Sequence, residues 1–141
     1  MVQDVIRYLI RESARGEAQA DPWTAATYAA GKVSAGVILV ALWHFAIVAV
    51  TGVVAGKVWV ALVPFLAAYA WEARQGWRGK DTLADLVFWK LGIFCTVFVH
   101  AETGPGQVSP QAVPLFWSLG LIGAALFVLV AAKLRAQRDA K

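Results

Sequence analysis

The sequence predicts an all-α integral membrane protein, a four-transmembrane-helix bundle preceded by an amphipathic helix lying at the membrane interface. Three observations predict it. Hydrophobic residues make up 60% of the 141 and charged residues only 16%, against roughly 45–50% and about 25% in a soluble domain. The apolar residues gather into four runs, Val33 to Gly56, Val58 to Trp71, Leu83 to Val99 and Val113 to Ala132. The basic residues cluster in alternate connections between those runs, as the positive-inside rule requires of a multi-pass chain.

Residues 1–20 read as a separate cytoplasmic surface helix. Val2, Val5, Ile6, Leu9 and Ile10 share one helical face, with Gln3, Asp4, Arg7 and Arg11 around the other sides. That i, i+3, i+4, i+7 spacing suits adsorption on a leaflet, or a packing contact with a partner subunit. Residues 1–32 contain no apolar stretch ending in a small-residue cleavage site, so the first span is expected to act as its own insertion signal.

Residues 21–141 form the membrane domain, with spans expected at 33–56, 57–75, 83–100 and 113–132. Asp21 and Pro22 read as an N-cap followed by proline in the first helical position, so a helix is expected to start there and run into the first span. Ala26, Ala30 and Ser34 give it a small-residue stripe that another helix can approach. The second run is short for a crossing of about 20 residues unless it extends through Ala73 toward Trp77, and Pro64 is expected to kink it. The third, interrupted by Lys90, starts at Thr82 and Asp85, which have capping-box spacing. Thr103-Gly104-Pro105-Gly106 through Pro110 is turn chemistry. Pro114 then fits the first turn of the fourth helix, where Gly120 and Ala124 make a second small-residue pair.

The basic clusters decide the topology. Arg7, Arg11, Arg15 and Lys32 precede the first run, Arg74, Arg78 and Lys80 lie between the second and third, and Lys133, Arg135, Arg138 and Lys141 follow the fourth. The other two connections hold only Lys57 and no basic residue at all. Four spans with both termini cytoplasmic put every cluster on one side, in a bacterial inner membrane or a phage-associated one. Omitting the second span would strand Arg74, Arg78 and Lys80 outside. Trp59 and Trp117 then fall near the outer surface and Trp23, Trp71 and Trp77 near the inner one, as interfacial tryptophans should. Trp43 and Trp89 lie within spans.

The net charge of +4 does not indicate nucleic acid, because the basic residues form no patch interleaved with aromatics. The single cysteine, Cys95, excludes an intrachain disulfide and any multi-cysteine metal site, and its apolar neighbours predict a buried, inert thiol. Ionisable groups within spans are functional candidates. His44 lies eleven residues into the first run, roughly 16 Å along a helix. It reads either as a neutral imidazole bonded to a backbone carbonyl or hydroxyl, or as a proton-relay or pore-lining group. Lys90 reads as a snorkelling side chain, an ion-pair partner of Glu72, or a polar site residue. Glu72, Asp81 and Asp85 gather three carboxylates at a helix–turn–helix that could hold a divalent cation. Their ordinary duties are capping for Asp81 and Asp85 and pairing for Glu72. His100 and Glu102 read as an exposed helix terminus.

The stretch from Glu72 to Gly92, with an acidic residue ending one span and Asp81-x-x-x-Asp85 starting the next, resembles small multi-spanning membrane proteins of phages and bacteria. It is distantly similar to VanZ-like proteins, although Asp85 stands where their D-x-x-x-N-x-x-G pattern has asparagine and the glycine comes only at Gly92. In gross plan, with several spans and the basic tail Lys133 to Lys141, the chain looks like a holin. These resemblances imply a phage-type membrane component, structural or holin-like. The expected function is therefore non-enzymatic, through helix–helix assembly with itself or other membrane proteins in the bilayer. No catalytic residue, resident metal or cofactor is expected. The alternative is a small membrane-embedded metal-dependent enzyme using Glu72, Asp81 and Asp85, with His44 as a possible addition.

Overall fold

The computed structural model of the chain describes residues 22–76, 80–99 and 103–139, together with Gln3. Among them the elements are α1 (Pro22–Thr51), α2 (Lys57–Arg74), α3 (Lys80–Lys90), a π-helical turn (Leu91–Cys95) leading into α4 (Thr96–Val99), and α5 (Ala112–Asp139). The surface helix expected over 1–20, the cap at Asp21, and the terminus at His100 and Glu102 fall outside the described residues, Gln3 excepted. Three helical stretches are long and apolar enough to cross a membrane: Ala26–Thr51, Thr82–Val99 and Ala112–Asp139. The shorter α2 carries Lys57, Glu72 and Arg74 within its 18 residues.

α1 begins at Pro22, where the missing N–H of proline leaves no helical bond unmade, and runs unbroken into the first apolar run. It stops at Thr51, five residues before the end of the expected span. The Thr51 hydroxyl donates to the Ile47 carbonyl at 2.7 Å and accepts from the Val53 N–H at 3.1 Å. Gly52 then takes φ +66°, which only glycine adopts without steric cost. The connection that follows is pinned to the one before α5. The Lys57 N–H donates to the Gly106 carbonyl at 2.6 Å and the Val108 N–H to the Ala55 carbonyl at 3.4 Å, around a single antiparallel bridge between Gly56 and Gln107.

α2 passes through Pro64 as one element. The ring removes the backbone bond to the Val60 carbonyl, and burial of both residues holds the helix together there. α3 is already helical at Lys80, so Thr82 is not the N-cap that the spacing predicts. It sits buried in the first turn, and Asp85 is directed to another helix. The π-helical turn was not expected either. Gly92 and Ile93 face inward from this turn, and Phe94 and Cys95 lie outside. The expectation of a buried thiol is thereby corrected: Cys95 is exposed. The Thr96 hydroxyl donates to the Gly92 carbonyl at 2.5 Å, occupying an acceptor in this widened turn.

α1 is the central helix, packed against α2, α3 with its π-helical turn, and α5. Its contact with the π-helical turn is backbone on backbone. A Cβ at Gly92 would overlap the Val33 carbonyl, and one at Gly36 would press on the Trp89 carbonyl oxygen and Ile93. α5 lies antiparallel to α1 through three close pairs, Gly31 against Phe127 and Ile38 against Gly120, each small to large, and Ser34 against Gly123, both small. The small-residue stripes are thus partly consumed inside the chain. Ser34 and Gly120 are buried in this packing, Ala124 is half-buried, and Ala26 and Ala30 are exposed. Val40, Val60, Ile93, Val97, Val108 and Phe116 close the core.

Gly92→Ala is expected to destabilise the bundle by about 1–3 kcal/mol through overpacking. Gly104→Ala, where an added Cβ meets nothing within 4 Å, should be neutral. Thermal unfolding of both variants in mild detergent checks this, and equal behaviour would show that the α1–α3 contact does not need glycine.

Candidate functional site

Position 32 on α1, 72 on α2, and 85 and 89 on α3 face one another across the bundle. The Lys32 ammonium pairs with the Asp85 carboxylate and lies 3.9 Å from Glu72 Oε1. The same Glu72 oxygen accepts the Trp89 indole N–H at 2.8 Å. Glu72, Asp85 and Trp89 are all buried, with Glu72 only 3% exposed. Local structure sets this convergence. Asp85 and Trp89 are four residues apart and so share one face of α3, and Glu72 sits in the last turn of α2, which returns the chain toward the same end of the bundle. A buried charge is tolerated when it is paired and hydrogen-bonded, and here one cation meets two carboxylates while an indole donor helps to satisfy the second.

Of the expected acidic trio, the structure brings Glu72 and Asp85 together around an ammonium. Asp81 lies in the first turn of α3, and its side chain is outside the described set. Lys32, which the sequence marks only as a topology residue, is the centre of the cluster. The available signal was its place at the start of the first run, on the face to which the expected topology also brings Glu72 and Asp85. Among the described residues no three His, Cys, Asp or Glu side chains converge as a metal-ligand set would.

Lys90 does not pair with Glu72. It follows Trp89 around α3, so when the indole faces inward the lysine faces outward, where its ammonium lies 5.5 Å from the centre of the Phe65 ring. His44 is also separate, about 18 Å from Lys32 along α1 at 1.5 Å per residue. It is 1% exposed and edge-on to Phe116 at 6.4 Å between ring centres. The expected hydrogen bond from the backbone or a hydroxyl is not formed: neither ring nitrogen has a partner among the described residues.

Comparison with family models, with curated proteins and with solved structures finds no match. The fold and the cluster define a class by themselves: an all-helical chain with three helices long and apolar enough to span a membrane, built round a buried three-helix ion cluster.

Removing one member of a buried ion group leaves the others uncompensated, at a cost of about 3–5 kcal/mol, whereas replacing the whole group by apolar side chains of similar size is often neutral. Lys32→Met should therefore lower stability by about that amount, and the triple variant Lys32→Met, Glu72→Gln, Asp85→Leu should recover most of it. Unfolding in detergent measures both, and a Lys32→Met variant as stable as the parent would remove the cluster from its structural role.

Proposed function

We propose that the chain is a non-enzymatic multi-pass membrane protein that acts through helix–helix assembly, with four spans and both termini in the cytoplasm. The observation that carries this reading is the inversion of inside and outside. Leu121, Ile122 and Leu129 on α5, Phe45 on α1 and Leu66 on α2 stand exposed while Glu72 and Asp85 are buried, and the Lys32 side chain between them is only 11% exposed. That arrangement is favourable in hydrocarbon and unfavourable in water.

α2 is the fourth span in this reading. Its 18 residues cover about 27 Å at 1.5 Å per residue, close to a hydrocarbon core of about 30 Å. Lys57 and Arg74 mark its two ends. Assembly finds its support in α5, where only 11% of the apolar window is buried within the chain, leaving a long face for lipid or another helix. A phage-type structural or holin-like component is the most specific form of the proposal, supported by the compact multi-span plan and the basic end of α5. The ammonium lodged between Glu72 and Asp85 favours this reading over a metal-dependent enzyme, because the charge of those carboxylates is directed to Lys32.

Three measurements test it. Cysteines introduced at Gly106 and Ser109, in a Cys95→Ser background, should react with an impermeant thiol reagent in intact cells, while cysteines at Gly79 and Gln137 should not. Labelling at Gly79 would overturn the four-span topology. Native mass measurement in mild detergent should show more than one copy per particle or a co-purifying membrane protein, and a bare monomer would remove assembly as the mode of action. Neither Mg²⁺ nor Ca²⁺ should raise the melting temperature. A rise of several degrees that is lost when Glu72, Asp81 and Asp85 become Asn or Gln would favour the enzyme, since neutral amides cannot hold a hard divalent ion.

A further inference from the structure

α1, α5, the end of α2 and Trp89 enclose a lateral cleft of about 240 Å³. Its polar and apolar linings are separated along the bundle. Lys32, Gln75 and Tyr28 stand at the end that carries Arg74, and Ala35, Ile38 and Ala124 lie deeper along α1 and α5. The cleft exists because Gly31 has no side chain. A Cβ there would collide with the Phe127 ring, which instead lies on the helix backbone and forms one wall, tilted against Tyr28 at 6.2 Å. Trp71, half-exposed on α2, forms another wall.

We propose that this cleft holds one acyl chain of a bilayer phospholipid with an anionic headgroup, drawn from the cytoplasmic leaflet. An unbranched apolar chain fits a narrow slot of aliphatic and aromatic walls, and its head emerges where the polar residues and an interfacial tryptophan stand. The charge at that end decides the head. Glu72 and Asp85 are turned inward onto Lys32 and Trp89, whereas the exposed Arg74 stands at the end of α2 beside Gln75 of the lining. Basic residues at the inner surface attract anionic headgroups by about 1 kcal/mol each. Ser34 makes no demand on the head, because its hydroxyl donates to the Ala30 carbonyl at 2.8 Å.

The inference rests on the membrane topology proposed above, and the test separates the two. The full chain is reconstituted in vesicles holding equal amounts of phosphatidylglycerol and phosphatidylcholine with identical acyl chains, then extracted in mild detergent for native mass measurement. The expected result is one retained phosphatidylglycerol per chain in preference to phosphatidylcholine. Ala124→Trp, which fills the slot, should lose it, as should the milder Ala35→Leu. Leu121→Trp, on the outward face of α5, should keep it. Arg74→Gln should retain both lipids equally. Equal retention by the parent, no retention, or retention unchanged in a folded Ala35→Leu variant overturns the lipid site alone. A chain that does not enter the vesicles overturns both proposals.

Discussion

The structure depends on a lysine that lies inside it. Lys32 sits ten residues into a thirty-residue helix with its side chain only 11% exposed, and a charge so far withdrawn from solvent is tolerated where opposite charge meets it. Asp85 on α3 and Glu72 on α2 meet it. That single requirement fixes the rotation of two helices about their axes and the register of each against α1. Trp89 completes the arrangement by donating to Glu72, tying α2 to α3 as well as to α1. Ion clusters of this kind need not add net stability, and their physical consequence is that alternative registers, which would leave a charge alone, become costly.

Close backbone approach does the rest of the positioning. The α1–α3 contact runs through Gly36 and Gly92 and the α1–α5 contact through Gly31, Gly120 and Gly123. Without a hydrophobic driving force between helices in lipid, such van der Waals contact and interhelical polar bonds are what hold helices together. The π-helical turn at Leu91–Cys95 belongs to the same constraint. Asp85 and Trp89 reach the cluster before it, and Gly92, Ile93 and Val97 follow them into the core.

The polar interior is divided into two parts with different character. At one end Lys32, Glu72, Asp85 and Trp89 meet beside the apolar cleft. At the other, His44 is enclosed by apolar packing against Phe116 with both ring nitrogens unpartnered among the described residues. The separation follows from α1 carrying both residues three and a third turns apart, and it keeps the imidazole out of any joint chemistry with Glu72 and Asp85. The outward surface is rich in apolar side chains from Phe45 to Leu129, and the exposed Lys90 there has its ammonium 5.5 Å from the centre of the Phe65 ring.

The sequence by itself determined the helical class and the placement of the long apolar helices, because both follow from composition and from run length against the 1.5 Å helical rise. It marked Glu72, Asp81 and Asp85 as carboxylates to watch, since acidic groups beside apolar runs stand out. Only the tertiary structure decided what Glu72 and Asp85 do. Lys32 read as one more flanking charge until α2 and α3 brought these carboxylates to it, and the partner of Glu72 became Lys32 rather than Lys90 through the rotation of α3. The end of α1 at Thr51, the π-helical turn, the outward Cys95 and the unpartnered His44 were likewise invisible. Each depends on which face of a helix meets a neighbour, and a nearly uniform apolar sequence gives no periodicity from which that face can be read.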